Sequence, residues 1–183
     1  MANLYMMMGL PGSGKTTFAH TYFKHQPGPP PVYISRDEIR FGILEKYNID
    51  TEDEYFAHEV EVYEKFCNQI ILYLKKGYDV IADATHLYNA SRWKLINRVS
   101  DYYDKWIIIF LNPNVRECIE NNRKRTGLAR VPENVIYHMN RNMEYPSLNK
   151  DMLGRGINEI WTVTPKSKKW CIDVHTYKEI LNE

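Results

Sequence analysis

The sequence predicts an α/β fold: a five-stranded, mostly parallel sheet with helices on both faces. Three observations carry this. Apolar runs of strand length alternate with amphipathic segments of helix length, the pattern of parallel βαβ units. The first run, NLYMMM, passes directly into the glycine-rich stretch GLPGSGKT and then into a helical segment. Finally, 183 residues suffice for one core and fall short of two ordinary domains, so residues 1–183 read as a single domain.

The strands are LYMMM (residues 4–8), VYIS (32–35), DVIAD (79–83), WIIIFL (106–111) and EIWTVT (159–164). Five such buried strands suffice for a small doubly wound sheet. The first helix follows the glycine loop, and QPGPPP (26–31) makes a stiff surface loop before the second strand. Between the second and third strands, Phe56, Val60, Tyr63, Cys67, Ile70 and Leu74 recur at three and four residues and share one helical face. Thr51 and Glu54 read as that helix's capping box, and Gly77 as its stop. Asn112 before Pro113 and Val131 before Pro132 mark two more helix starts with proline in the first turn. The tail KSKKWCIDV, within residues 165–183, reads as a further edge strand or a surface extension.

Lysine and arginine number 24 against 23 acidic residues, a net charge of +1. That balance excludes a protein that coats nucleic acid by bulk electrostatics and leaves room for a local basic groove. Cys67, Cys118 and Cys171 are odd in number and far apart, which suits neither a disulfide framework nor a zinc site, so free thiols in a reducing cytoplasm are expected. The short apolar start lacks a basic leader and does not read as a signal peptide. No run approaches the ~20 apolar residues of a membrane span.

Strand, then G-x-x-x-x-G-K-T, then helix is the context of a phosphate-binding loop, or P-loop. Gly9, Gly12 and Gly14 let backbone N–H groups point inward, with Ser13 and Thr17 in the same cradle; Lys15 reaches the outer phosphates and Thr16 is placed to ligate Mg²⁺. The bland alternative is a glycine-rich turn with a solvated lysine. Asp37, in SRDEIR, lies just past the second strand at the sheet edge where ligands collect. A carboxylate there can take the proton of an attacking hydroxyl, and Arg40, one turn on, can reach an acceptor phosphate; equally, Asp37 could simply cap a short helix. Asp83 ends the third strand and can orient Mg²⁺, its water or an arginine, or merely cap the next turn. His86 beside it reads as a loop histidine. RKRTGLAR carries Arg123, Lys124, Arg125 and Arg130 around Gly127 between two helices. It is either a solvated basic loop or a lid, about residues 123–131, that brings cations over a γ-phosphate.

GLPGSGKTT, SRDEIR, IADATH and NRKRTGLARVP, in this order and spacing up to about Pro146, resemble the kinase domain of phage-type polynucleotide kinases within the small P-loop kinases. The resemblance implies an ATP- and Mg²⁺-dependent kinase with a nucleic-acid 5′-hydroxyl end, DNA or RNA, as acceptor. It implies Asp37 as general base, Arg40 on the acceptor phosphate, and Asp83 with Thr85 supporting the acceptor site. Arg123 or Arg125 would clamp the donor, with Arg125 in the catalytic set. Many relatives carry Asn where His86 stands, and nothing after Pro165 looks like the phosphatase domain that accompanies the phage kinase. Relatives with the same motifs act on small molecules or aminoacyl-tRNA, which keeps those acceptors as alternatives. A non-catalytic ATP-binding module is a further alternative.

Overall fold

The computed structural model describes residues 2–51, 54–148, 157–166 and 169–176. The chain runs β1 (Asn3–Met8), α1 (Lys15–Lys24), β2 (Val32–Ser35), α2 (Arg36–Lys46), α3 (Glu59–Lys75), β3 (Val80–Asp83), α4 (Asn89–Val99), β4 (Lys105–Leu111), α5 (Val115–Arg123), α6 (Glu133–Asn142), β5 (Ile157–Lys166) and β6 (Lys169–Thr176). The sheet order is β2-β3-β1-β4-β5-β6, with five parallel strands and an antiparallel β6 on the edge. Six strands therefore stand where five were expected. The sixth is formed by the tail segment that the sequence left between edge strand and extension; residues 177–183 lie outside the described residues.

Helices cover both faces. In β1, Leu4, Met6 and Met8 point into the core under α2, α3 and α4, while Met7 points into the one under α1. At ten residues α1 is too short to persist alone, so the burial of Phe18, Ala19 and Phe23 holds it, at about 1.5–3 kcal/mol for each fully buried large side chain. A third cluster, Cys118, Ile119 and Ile136 with Leu10 and Leu87, packs α5 and α6 over the loops after β1 and β3.

Three helix starts differ from expectation. Thr51 Oγ1 and Glu54 Oε2 lie 3.4 Å apart, but α3 begins only at Glu59, whose carboxylate is held by Arg36 and Arg40. Tertiary ion pairs thus set the start that the local capping signal misplaced. Phe56 and Val60 are exposed, and the core face of α3 is Val62, Phe66, Cys67, Ile70 and Leu74. Asn114, not Asn112, caps α5, accepting from Arg116 N at 2.9 Å. The Asn112 amide still belongs to the sheet, donating to Val163 O at 3.0 Å. Pro132 is itself the α6 cap, with ψ of 138° and a carbonyl that accepts from Val135 N and Ile136 N.

Candidate active site

At the C-terminal edge of the sheet, the connection from β1 leads to α1 on one face and that from adjacent β3 leads to α4 on the other. This divergence opens a crevice for a ligand. The two loops are clamped by Gly9 N donating to Thr85 O at 3.0 Å. Thr85 therefore acts through its backbone on the phosphate loop. Gly12 (φ 79°) and Gly14 (φ 91°) are left-handed. A Cβ on Gly12 would sit 2.2 Å from Cys118 O, so the loop and α5 can approach only through glycine. Asn121 Nδ2 donates to Gly12 O at 3.1 Å and braces the same contact. Gly14 is the α1 cap and offers no side chain to its first-turn N–H groups, which leaves them for an anion. The Ser13 hydroxyl is buried with no hydrogen-bond partner among the described residues.

Lys15 folds back onto the loop, its Nζ donating to Gly9 O at 3.0 Å and Leu10 O at 2.9 Å. Burial pushes its pKa down, Asp83 and Asp37 push it up, and Arg125 pushes it down. Three residues expected at the site, two carboxylates and a guanidinium, thus bear electrostatically on one ammonium.

Asp83, 6 % exposed, accepts from Thr16 Oγ1 at 3.2 Å and from the Tyr33 hydroxyl, whose oxygen also lies 3.3 Å from Thr16 Oγ1. The structure thus places Asp83 beside the P-loop threonine. Burial first, and then the Asp83 charge, push the Tyr33 phenol up, so it remains a donor. Nothing in the sequence patterns pointed to Tyr33.

Ser35 caps α2, accepting from Glu38 N at 3.2 Å, so Asp37 is not the cap. The Asp37 side chain is 63 % exposed in the first turn of α2 and pairs with Arg40 Nη1 at 2.5 Å. Arg40 is itself buried, with Nε on Glu59 Oε1 at 2.6 Å and the Tyr55 and Phe56 rings at 5.2 and 5.9 Å. Burial opposes its charge, but the Glu59 hydrogen bond, Tyr55 and Asp37 outweigh it and push the guanidinium pKa up. The sequence presented Arg40 as a free reader of phosphate; the fold gives it two carboxylates. Arg36, the second partner of Glu59 at 2.6 Å, and Glu59 itself carried no sequence signal.

In the lid segment, Arg123 makes a two-pronged pair with Glu133, at 2.7 and 3.0 Å. Arg125 is exposed and has no side-chain partner among the described residues, and its charge reaches Lys15. Both ends of the segment are tied by Asn122, which donates to Val131 O at 2.6 Å and accepts from Val131 N at 3.1 Å.

His86 is no ordinary loop histidine. It is buried at φ 43°, with Nδ1 2.8 Å from Met7 O, and its own carbonyl accepts from fully buried Arg92 at 2.7 Å. Burial lowers its pKa to about 4, opposed by the Met7 bond and reinforced by Arg36, Arg92 and Lys15. An unfolded histidine titrates near 6.5. The neutral ring therefore contributes stability that is fully present above about pH 6.5 and is lost as pH falls toward about 4. His86→Asn, a residue that tolerates left-handed backbone, should flatten the fall of Tm over this window by up to one proton's worth of slope, about 1.4 kcal/mol per pH unit. Equal slopes in variant and parent would remove His86 as the cause.

The AAA domain family matches residues 4–146. A sugar kinase from Janibacter sp. HTCC2649 superposes with TM-score 0.56 at 16% identity, over 81% of this chain and 82% of its own. Kti12 of Chaetomium thermophilum, in complex with ADP-AlF3, gives 0.55 at 18% identity, over 79% and 81%. A chain of a Pnkp1/Rnl/Hen1 complex gives 0.53 at 24% identity, over 68% of this chain and 40% of that one. These likenesses establish the fold. No curated protein matches the chain. The described residues contain no helix long and apolar enough to cross a membrane. With the P-loop and sheet order described above, the match over most of its length makes this chain a member of the AAA domain family with a P-loop kinase fold.

Proposed function

We propose that this chain is an ATP-dependent kinase that transfers the γ-phosphate to the 5′-hydroxyl end of DNA or RNA. The carrying observation is the surface beside Asp37. An exposed carboxylate stands next to Arg40, with Phe56, 66 % exposed, and Tyr55 alongside. A proton acceptor, a cation and open aromatic rings suit an acceptor that carries both a phosphate and a base able to stack.

In this reading the loop N–H groups hold the donor phosphates and Lys15 turns from the Gly9 and Leu10 carbonyls to the outer ones. Thr16 Oγ1 and Asp83 Oδ2, hard oxygens 3.2 Å apart, would hold a Mg²⁺ ion, which would supply positive charge to offset that of the donor phosphates. Asp37 takes the hydroxyl proton as the acceptor oxygen bonds to the γ-phosphorus and the bond to the β–γ bridging oxygen breaks, releasing ADP. Arg125 covers the γ-oxygens from the lid, and Arg40 reads the acceptor's first phosphate.

One observation favours a second reading, a small-molecule acceptor. Asp37 and Glu59 already offset the Arg40 charge, which suits an acceptor without phosphate. Acceptor titrations separate the two. A 5′-hydroxyl end gripped by one or two phosphates should lose affinity with salt along a log–log slope of about −1 to −2, at ~0.7 per contact. A nucleoside 3′-monophosphate should then serve as acceptor far better than the bare nucleoside, and Arg40→Ala should erase that difference. A salt-independent affinity, or a sugar or free nucleoside used as well as an oligonucleotide, would transfer the conclusion to the second reading.

A further inference from the structure

The edge strand β6 leaves a residue at the phosphate loop that neither the motifs nor the proposed chemistry uses. Trp170 pairs with Pro165 near the C-terminal end of β5, the sheet edge at which the P-loop lies. A Cβ on Gly14 would come 3.3 Å from Trp170 Cη2, so the indole edge rests against the cap of α1. The ring stands at 89° to Phe18 with centroids 5.3 Å apart, and Phe18 in turn stacks on Tyr22 at 5.0 Å. The indole is thus fixed in orientation while remaining only partly buried.

Direction along the sheet gives this position a meaning. The candidate acceptor carboxylate, Asp37, follows β2 at one end of the order β2-β3-β1-β4-β5-β6, and the Thr16–Asp83 oxygen pair lies between β1 and β3. A triphosphate seated on the loop with its γ-phosphate toward Asp37 points its α-phosphate, and the nucleoside beyond it, toward β5 and β6. Trp170 is the aromatic side chain that meets Gly14 on that side. We infer that Trp170 is the wall against which the donor's nucleobase packs. The inference rests on the reading of the loop as an ATP site. A lone aromatic wall grips any base through its π-face and reads no base edge, so purines of either kind are held and the larger ring system is held better.

The test compares ATP with inorganic tripolyphosphate, each with Mg²⁺, by titration calorimetry on the full chain. Removing one base-stacking ring costs on the order of a 10-fold or greater loss of affinity. Trp170→Ala should therefore bind ATP at least ~10-fold more weakly than the parent while tripolyphosphate binding stays within about 2-fold, and Trp170→Phe should recover most of the ATP affinity. In the unmutated chain, ATP should quench tryptophan emission more strongly than tripolyphosphate does, a readout that stands even if Trp170→Ala fails to fold. Unchanged ATP binding in Trp170→Ala, an equal loss of both ligands, or equal quenching by both would overturn the inference while leaving the donor site intact. A parent chain that binds neither ligand would overturn the donor site and the inference with it.

Discussion

Replacing Lys15 with Ala should lower phosphoryl transfer by ~10² or more, the effect of removing one preorganised charge from the developing charge of a transition state. Its ammonium is folded onto the loop, with the Gly9 and Leu10 carbonyls as its only hydrogen-bond partners among the described residues, and burial holds its pKa down. A charge kept in that position is costly to the fold, so the variant should keep its Tm even as it loses turnover. Burial and the two carbonyls ready the lysine for a partner more negative than either. Single-turnover transfer and thermal unfolding, measured on the same preparation, check both halves. Near-parental transfer in Lys15→Ala would mean that the loop is not the donor site.

Asp37→Asn should cost ~10²–10⁴ in turnover, the range for a positioned general base, with little change in ATP affinity. The structural role of this carboxylate is small. Ser35 already caps α2, and the pair with Arg40 sits on a side chain 63 % exposed, where ion pairs contribute about 0–1 kcal/mol. Asn also keeps an oxygen for Arg40, so a large kinetic loss cannot come from unfolding. The kcat and KM values for ATP and acceptor, determined separately, provide the check. A matching loss of ATP affinity would place Asp37 at the donor or metal instead.

Features whose cause is local were legible in the sequence. The parallel strands came out within a residue or two because the central ones, β3 and β4, are buried along almost their whole length and so read as apolar runs. The phosphate loop was legible because its function lies in consecutive backbone. What could not be read are partnerships between distant residues. Thr16 and Asp83 meet across 67 positions, and Tyr33 reaches Asp83 across 50. Arg40 looked available because Glu59, 19 residues on, gives no local sign of its orientation. The same carboxylate fixes where α3 begins, which is why a sound capping signal at Thr51 failed. His86 was underrated because a single letter shows neither its burial nor its left-handed backbone. Between Arg123 and Arg125, sequence could not choose, because the Glu133 that engages Arg123 lies ten residues on and gives no local sign of its orientation.

The central claim is that phosphate leaves ATP for a nucleic-acid end. It is tested most directly by incubating the protein with γ-labelled ATP and Mg²⁺ against 5′-hydroxyl DNA, 5′-hydroxyl RNA, tRNA, nucleosides and sugars, then asking which becomes labelled. Label at the 5′ end of DNA or RNA, absent with Asp37→Asn, is the expected result; label on a sugar or nucleoside in preference to the oligonucleotides, or on no acceptor at all, would contradict it.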